Sequence, residues 1–102
     1  MKQVLKVHTV DIVVSGQSAR GDWEKQMVVF KLEDEKRLAV TFFGSDLVAI
    51  TKTLQPNQLC EVVYNVESRE YNGKWYTDVK GTRIMPLMQG TMQFNQAAEG
   101  NA

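Results

Sequence analysis

The dipeptide Asn72-Gly73, set between two runs of alternating residues, constrains this chain more than any other feature. A two-residue loop between antiparallel strands needs φ > 0 at both central positions, which Asn and Gly tolerate and bulky or β-branched residues do not. Such a turn dictates the register on either side of it. With Tyr71 opposite Lys74, the ladder runs back through Glu70–Trp75, Arg69–Tyr76, Ser68–Thr77, Glu67–Asp78 and Val66–Val79. It continues to Asn65–Lys80 and Tyr64–Gly81. Alternation then sorts the side chains. Tyr64, Val66, Ser68, Trp75, Thr77 and Val79 share one face, which reads as a core face; Asn65, Glu67, Arg69, Tyr76, Asp78 and Lys80 share a wet one. Glu67 opposite Asp78 is a like-charge pair that costs stability, with Arg69 the neighbour placed to relieve it.

The rest of the chain supplies three more strands and a helix. Val4–Val14 is valine-rich, with Leu5 and Val7 on one parity and Val10, Ile12 and Val14 on the other, so a bulge or face switch is expected near Thr9. Residues 15–22, with two glycines, read as a loop. Trp23–Leu32 alternates Val28, Phe30 and Leu32 against Lys25, Met27, Val29 and Lys31. After a charged turn at 33–36, Arg37–Phe43 alternates Leu38, Val40 and Phe42 against Arg37, Ala39, Thr41 and Phe43. The period changes at Gly44, where Ser45 or Asp46 can cap a short helix carrying Leu47, Ile50 and Leu54. Gln55-Pro56-Asn57 stops it. In the fifth strand the apolar parity jumps between Val79 and Ile84, so Gly81 is expected at a bulge or bend, with the Tyr64 ring available to cover it. Five strands, bends in the first and last, and one helix between the third and fourth point to an all-β, partly open five-stranded OB barrel, with a generic five-stranded roll plugged by the helix as the alternative.

Composition bounds the function. At 102 residues the chain makes one small domain, expected over residues 1–86, with a flexible polar tail at 87–102 in which Leu87, Met92 and Phe94 could dock on a neighbour. No apolar run approaches a membrane span and the N-terminus lacks a signal peptide's apolar stretch. One cysteine, Cys60, excludes a disulfide framework and fits a reducing cytoplasm; one His and one Cys exclude a structural zinc site. Twelve basic and twelve acidic residues balance to zero, but it is a local patch, not the whole chain, that contacts phosphate. Catalytic readings find little support. His8 has no nucleophile beside it in its strand, Cys60 has the parity of Val62 and Tyr64 and reads as buried, and Glu33-Asp34-Glu35 reads as a solvated turn. No cofactor is implied.

The segment RLAVTFFG at 37–44, a helix, and then QPNQLCEVVYNVESREYNGKWYTDV resemble the strand, helix and hairpin of bacterial single-stranded DNA-binding proteins, whose fold is the OB barrel. The hairpin followed by Gly81-Thr82-Arg83-Ile84 also resembles a small family of uncharacterised bacterial proteins of this length. The likeness covers 37–84 well and 4–32 in outline. In the DNA-binding family the third strand turns alternate residues toward nucleic acid, which implies Arg37, Ala39, Thr41 and Phe43 here, with Phe43 at the base-stacking phenylalanine. Three departures stand out: Arg37 where that family often has a stacking tryptophan, a short 33–36 turn in place of a long wrapping hairpin, and a tail without an acidic, aromatic tip.

Single-strand binding needs cations along the phosphates and rings on which bases stack. The outward faces offer Trp23, Lys25, Lys31, Arg37, Thr41 and Phe43; the outer hairpin face and its turn add Arg69, Tyr71, Lys74, Tyr76 and Lys80. The opposing reading makes the cations solvated edge protection and has Phe43 or Trp23 cap the core, with Trp75 inside it. The expected function is non-catalytic binding of single-stranded DNA or RNA, in replication, recombination or repair. The alternative is a protein–protein assembly module using Met27, Val29 and Phe43. In either case a homodimer or homotetramer is expected, because an open barrel this small leaves apolar positions uncovered.

Overall fold

The computed structural model describes residues 1–87. Five strands and one helix follow in order: β1 Lys2–Ser18, β2 Gly21–Lys31, β3 Arg37–Phe43, α1 Ser45–Thr51, β4 Leu59–Tyr71 and β5 Lys74–Pro86. They close a barrel in the order β1-β2-β3-β5-β4, with β4 returning to β1. Every contact is antiparallel except β3–β5, a parallel seam of two pairs, Thr41 with Lys80 and Phe42 with Gly81. This is the five-stranded OB barrel with its helix between the third and fourth strands. The expected polar tail, with Met92 and Phe94, lies outside the described residues from 88 onward.

Alternation fills the interior. Val7, Val28, Phe30, Val40, Phe42, Cys60 and Val62 are wholly buried. Each buried side chain of this size stabilises by roughly 1.5–3 kcal/mol, so the barrel interior holds the fold. Burial also pushes the Cys60 thiol up to about 11, by desolvating its thiolate. One polar residue shares the buried parity of β2. Gln26 donates from Nε2 to the Asp11 carbonyl at 2.7 Å and accepts from the Thr51 hydroxyl at 2.7 Å, tying α1 to the β1–β2 ladder.

The strands bend where parity breaks. In β1 the register slips between Val7 and Thr9 and again between Val10 and Val13, leaving His8 and one residue of the Asp11-Ile12 pair extra against β2. In β5 it slips at Thr82, which lies between the pairs Tyr64–Gly81 and Val63–Arg83. The hairpin ladder from Tyr71–Lys74 to Tyr64–Gly81 has the register that Asn72-Gly73 dictates, with both turn residues at positive φ.

Four expectations need correction. The loop at 15–22 is instead the end of a β1–β2 hairpin, in which Ser18 pairs with Gly21 around Ala19-Arg20 and Gly16 pairs with Trp23. The glycine is tolerated there because the Trp23 ring covers it: a Cβ at Gly16 would come within 2.5 Å of that ring. The ring over Gly81 belongs to Phe42, not to its ladder partner Tyr64. Gly44, at φ 100°, stands at the N-cap of α1 in place of Ser45 or Asp46 and without a side-chain cap; the helix buries Val48 and Thr51 as well, while Leu47 and Ile50 pack half-buried against the core and Leu54 is buried just past its end. The face carrying Val66, Ser68, Thr77 and Trp75 is not core. Beyond Tyr64 and Val79 the β4–β5 hairpin leaves the barrel as an arm, and Trp75 is 68% exposed.

Candidate nucleic-acid interface

The site begins with the two phenylalanines that end β3. Alternation sends Phe42 into the core and Phe43 outward, where its ring is 46% exposed. Gly44 then turns the chain into α1, and its N–H donates to the Glu24 carbonyl at 2.9 Å, pinning the strand end to β2. The ladders place a lysine on either side. Lys25 is opposite Phe43 on β2, and Lys80 pairs with Thr41 across the parallel seam. Both ammonium groups approach the ring, at 5.6 Å and 5.8 Å from its centroid. Phe43 is therefore an outward ring flanked by cations from both neighbouring strands, not a cap on the core.

Around that ring is a cleft of about 300 Å³, lined by Lys25, Thr41, Phe43, Arg69, Asp78, Val79 and Lys80. Five of the eleven residues expected at the site thus meet in one place: Lys25, Thr41, Phe43, Arg69 and Lys80. A second cleft of about 300 Å³, formed by Arg69, Glu70, Tyr71 and Tyr76, continues along the arm, and Arg69 belongs to both. Lys74, opposite Tyr71, falls on the same face at the tip. In the other direction Trp23 lies two residues from Lys25 on the outward side of β2, beside a broader depression of about 770 Å³ that reaches Gly44 and Ser45.

Lys31 and Arg37 are elsewhere. They pair with each other six residues along from Lys25 and Phe43, about 20 Å at the rise of a strand. Lys31 donates to the Asn57 side chain at 2.7 Å, and the surface beside it mixes Lys6 and Lys36 with Glu33 and Asp34. The residue that sequence reasoning missed is Asp78. Its pairing opposite Glu67 was visible, but not its place in the Phe43 cleft, where its carboxylate meets Arg69 Nε at 3.6 Å. The signal was its spacing, two residues from Lys80 on the same face.

A family model described as Domain of unknown function (DUF3127) matches residues 4–85. The chain belongs to that family. The match takes in β1 to β5, and so every element that builds the DUF3127 surface described above. No curated protein matches it in sequence. Among solved structures it is similar to a crystal structure of Rim1, a mitochondrial single-stranded DNA binding protein from S. cerevisiae. The TM-score is 0.59 and the identity 14%, over 88% of this chain and 96% of that one. At that identity the likeness is one of fold, and it agrees with the OB barrel of the family that the strand, helix and hairpin resemble. Among the described residues no helix is long and apolar enough to cross a membrane.

Proposed function

We propose that this chain binds single-stranded nucleic acid, DNA or RNA, without catalysis, along the outward face that runs from Trp23 past Phe43 onto the arm. The observation that carries the reading is the half-exposed Phe43 ring between Lys25 and Lys80. An exposed cation over a ring is worth about 0.5–1 kcal/mol, whereas a stacked base is worth about 1–3 kcal/mol. A base therefore displaces the ammonium groups from the ring, and they swing to the phosphates on either side. Tyr76 and Tyr71 offer further stacking surfaces along the arm, with Arg69 and Lys74 between them for the backbone.

The remaining expectations fit this reading. Cys60 is buried with a raised thiol, and the His8 ring is hydrogen-bonded to the neighbouring Thr9 hydroxyl, so neither supports a catalytic role. Residues 1–86 form the binding domain, working in the cytoplasm in replication, recombination or repair. A specific observation favours self-association as well. Trp75 and Val66 are exposed on the reverse side of the arm, away from Arg69 and Tyr76, and a second copy covering them would give the expected homodimer or homotetramer.

The test is titration of a labelled oligo-dT against salt. Each phosphate contact contributes a slope of about −0.7 to log K against log salt for a single strand. Phe43→Ala should weaken binding by roughly tenfold, the loss of one stacked base. Absent or salt-insensitive binding overturns the proposal and leaves the assembly reading, in which Phe43→Ala dissociates the oligomer instead.

A further inference from the structure

Rings and cations account for a sequence-tolerant surface; the carboxylate in the middle of it does not fit that picture. Asp78 lines the same cleft as Phe43, Thr41 and Lys80, where it repels any phosphate that approaches. Its side chain is 39% exposed, against 73% for its partner Arg69. The 3.6 Å separation from Arg69 Nε makes an ion pair but exceeds a hydrogen bond, and among the described residues the carboxylate accepts none. Glu67, its ladder partner, does not line the cleft. A strand crossing here must hold its phosphates toward Lys25 and Lys80 and turn a base toward Asp78.

We propose that Asp78 makes this face selective for guanine, its two carboxylate oxygens accepting from N1–H and N2–H of a guanine stacked on Phe43. The inference rests on the single-strand reading above. An ionised carboxylate only accepts, so it discriminates among bases by the donors they present. Thymine and uracil offer one imino N–H, and adenine and cytosine offer one amino group without an adjacent imino donor. Guanine alone sets an imino and an amino N–H side by side, the same parallel-donor geometry that makes paired bonds to a carboxylate strong. Arg69 holds the carboxylate in place without using up its acceptor positions.

The experiment uses the full chain and short oligo-dT strands of about eight nucleotides, within the site sizes of OB barrels. One central position carries dG, deoxyinosine, dA or dT, and binding is followed by fluorescence anisotropy at fixed salt. The dG strand should bind about tenfold tighter than the deoxyinosine strand, which lacks only the N2 amino group. Asp78→Asn should abolish that preference and at the same time tighten binding of plain oligo-dT a few-fold, because the repulsion of phosphate is gone. Equal binding of dG and deoxyinosine strands by the unmodified chain overturns the proposal without any variant having to fold. So does a preference that survives Asp78→Asn. Failure to bind any strand defeats the single-strand reading itself, whereas ordinary salt-dependent binding with no guanine preference defeats only this inference.

Discussion

Gly81 and Phe42 show how tightly single residues are constrained here. Gly81 is buried, and a Cβ on it would come within 2.1 Å of the Phe42 ring, itself wholly buried. The ring has nowhere to retreat, so Gly81→Ala should destabilise by about 1–3 kcal/mol, as overpacked cores do. A urea midpoint lowered with an unchanged slope would report it; an unchanged midpoint would mean the barrel corner is looser than its packing implies. The need for a glycine was legible in the parity jump between Val79 and Ile84. The identity of the ring above it was not, because Phe42 reaches Gly81 through the parallel seam, and nothing local in either segment announces that pairing. Gln26 is the opposite case. It shares the parity of Val28 and Phe30, yet a polar side chain on that face does not announce its burial, and its partners, the Asp11 carbonyl and the Thr51 hydroxyl, come from a bulge and a helix whose approach depends on the closed barrel.

At the level of elements, register was legible and burial was not. Asn72-Gly73 dictates which residues share a face of the β4–β5 hairpin, and every pair from Tyr71–Lys74 to Tyr64–Gly81 is as expected. Alternation does not say whether anything lies over that face, which is why Val66 and Trp75 stand in the open. The same limit hid the β1–β2 hairpin, whose glycines looked like loop punctuation until the Trp23 ring accounted for Gly16. For the candidate site, the outward sense of Phe43 followed from the inward sense of Phe42, but that Arg69, Asp78 and Lys80 join it while Lys31 and Arg37 lie apart required knowing which end of the β2–β3 ladder the arm approaches. A separable arm has a testable consequence. Removing residues 68–77 and rejoining Glu67 to Asp78 through a new Asn-Gly turn deletes no buried side chain. The melting temperature should stay within a few degrees, while affinity for oligo-dT falls about a hundredfold with the loss of the Tyr71 and Tyr76 stacking surfaces. A collapse in stability would show that the arm packs on something in solution.

Among the described residues, apolar side chains stand uncovered on the reverse of the arm around Trp75 and on the outer side of β1 at Ile12 and Val14. Light scattering at micromolar concentration should give a dimer or tetramer, and Trp75→Ser should shift it toward monomer while oligo-dT binding per chain persists. A strict monomer for the unmodified chain would remove the self-association reading. The closed order β1-β2-β3-β5-β4 has one thin place, the two-pair parallel seam at Thr41–Lys80 and Phe42–Gly81. The Phe43 cleft takes its side chains from both banks of it: Lys25, Thr41 and Phe43 from one, Arg69, Asp78 and Lys80 from the other. Any guest lodged there bridges the join, and a guest that favours the joined state must by mass action resist its parting. Occupancy and barrel integrity are then one thermodynamic cycle, so the least reinforced line of the fold is mended by the cargo it carries.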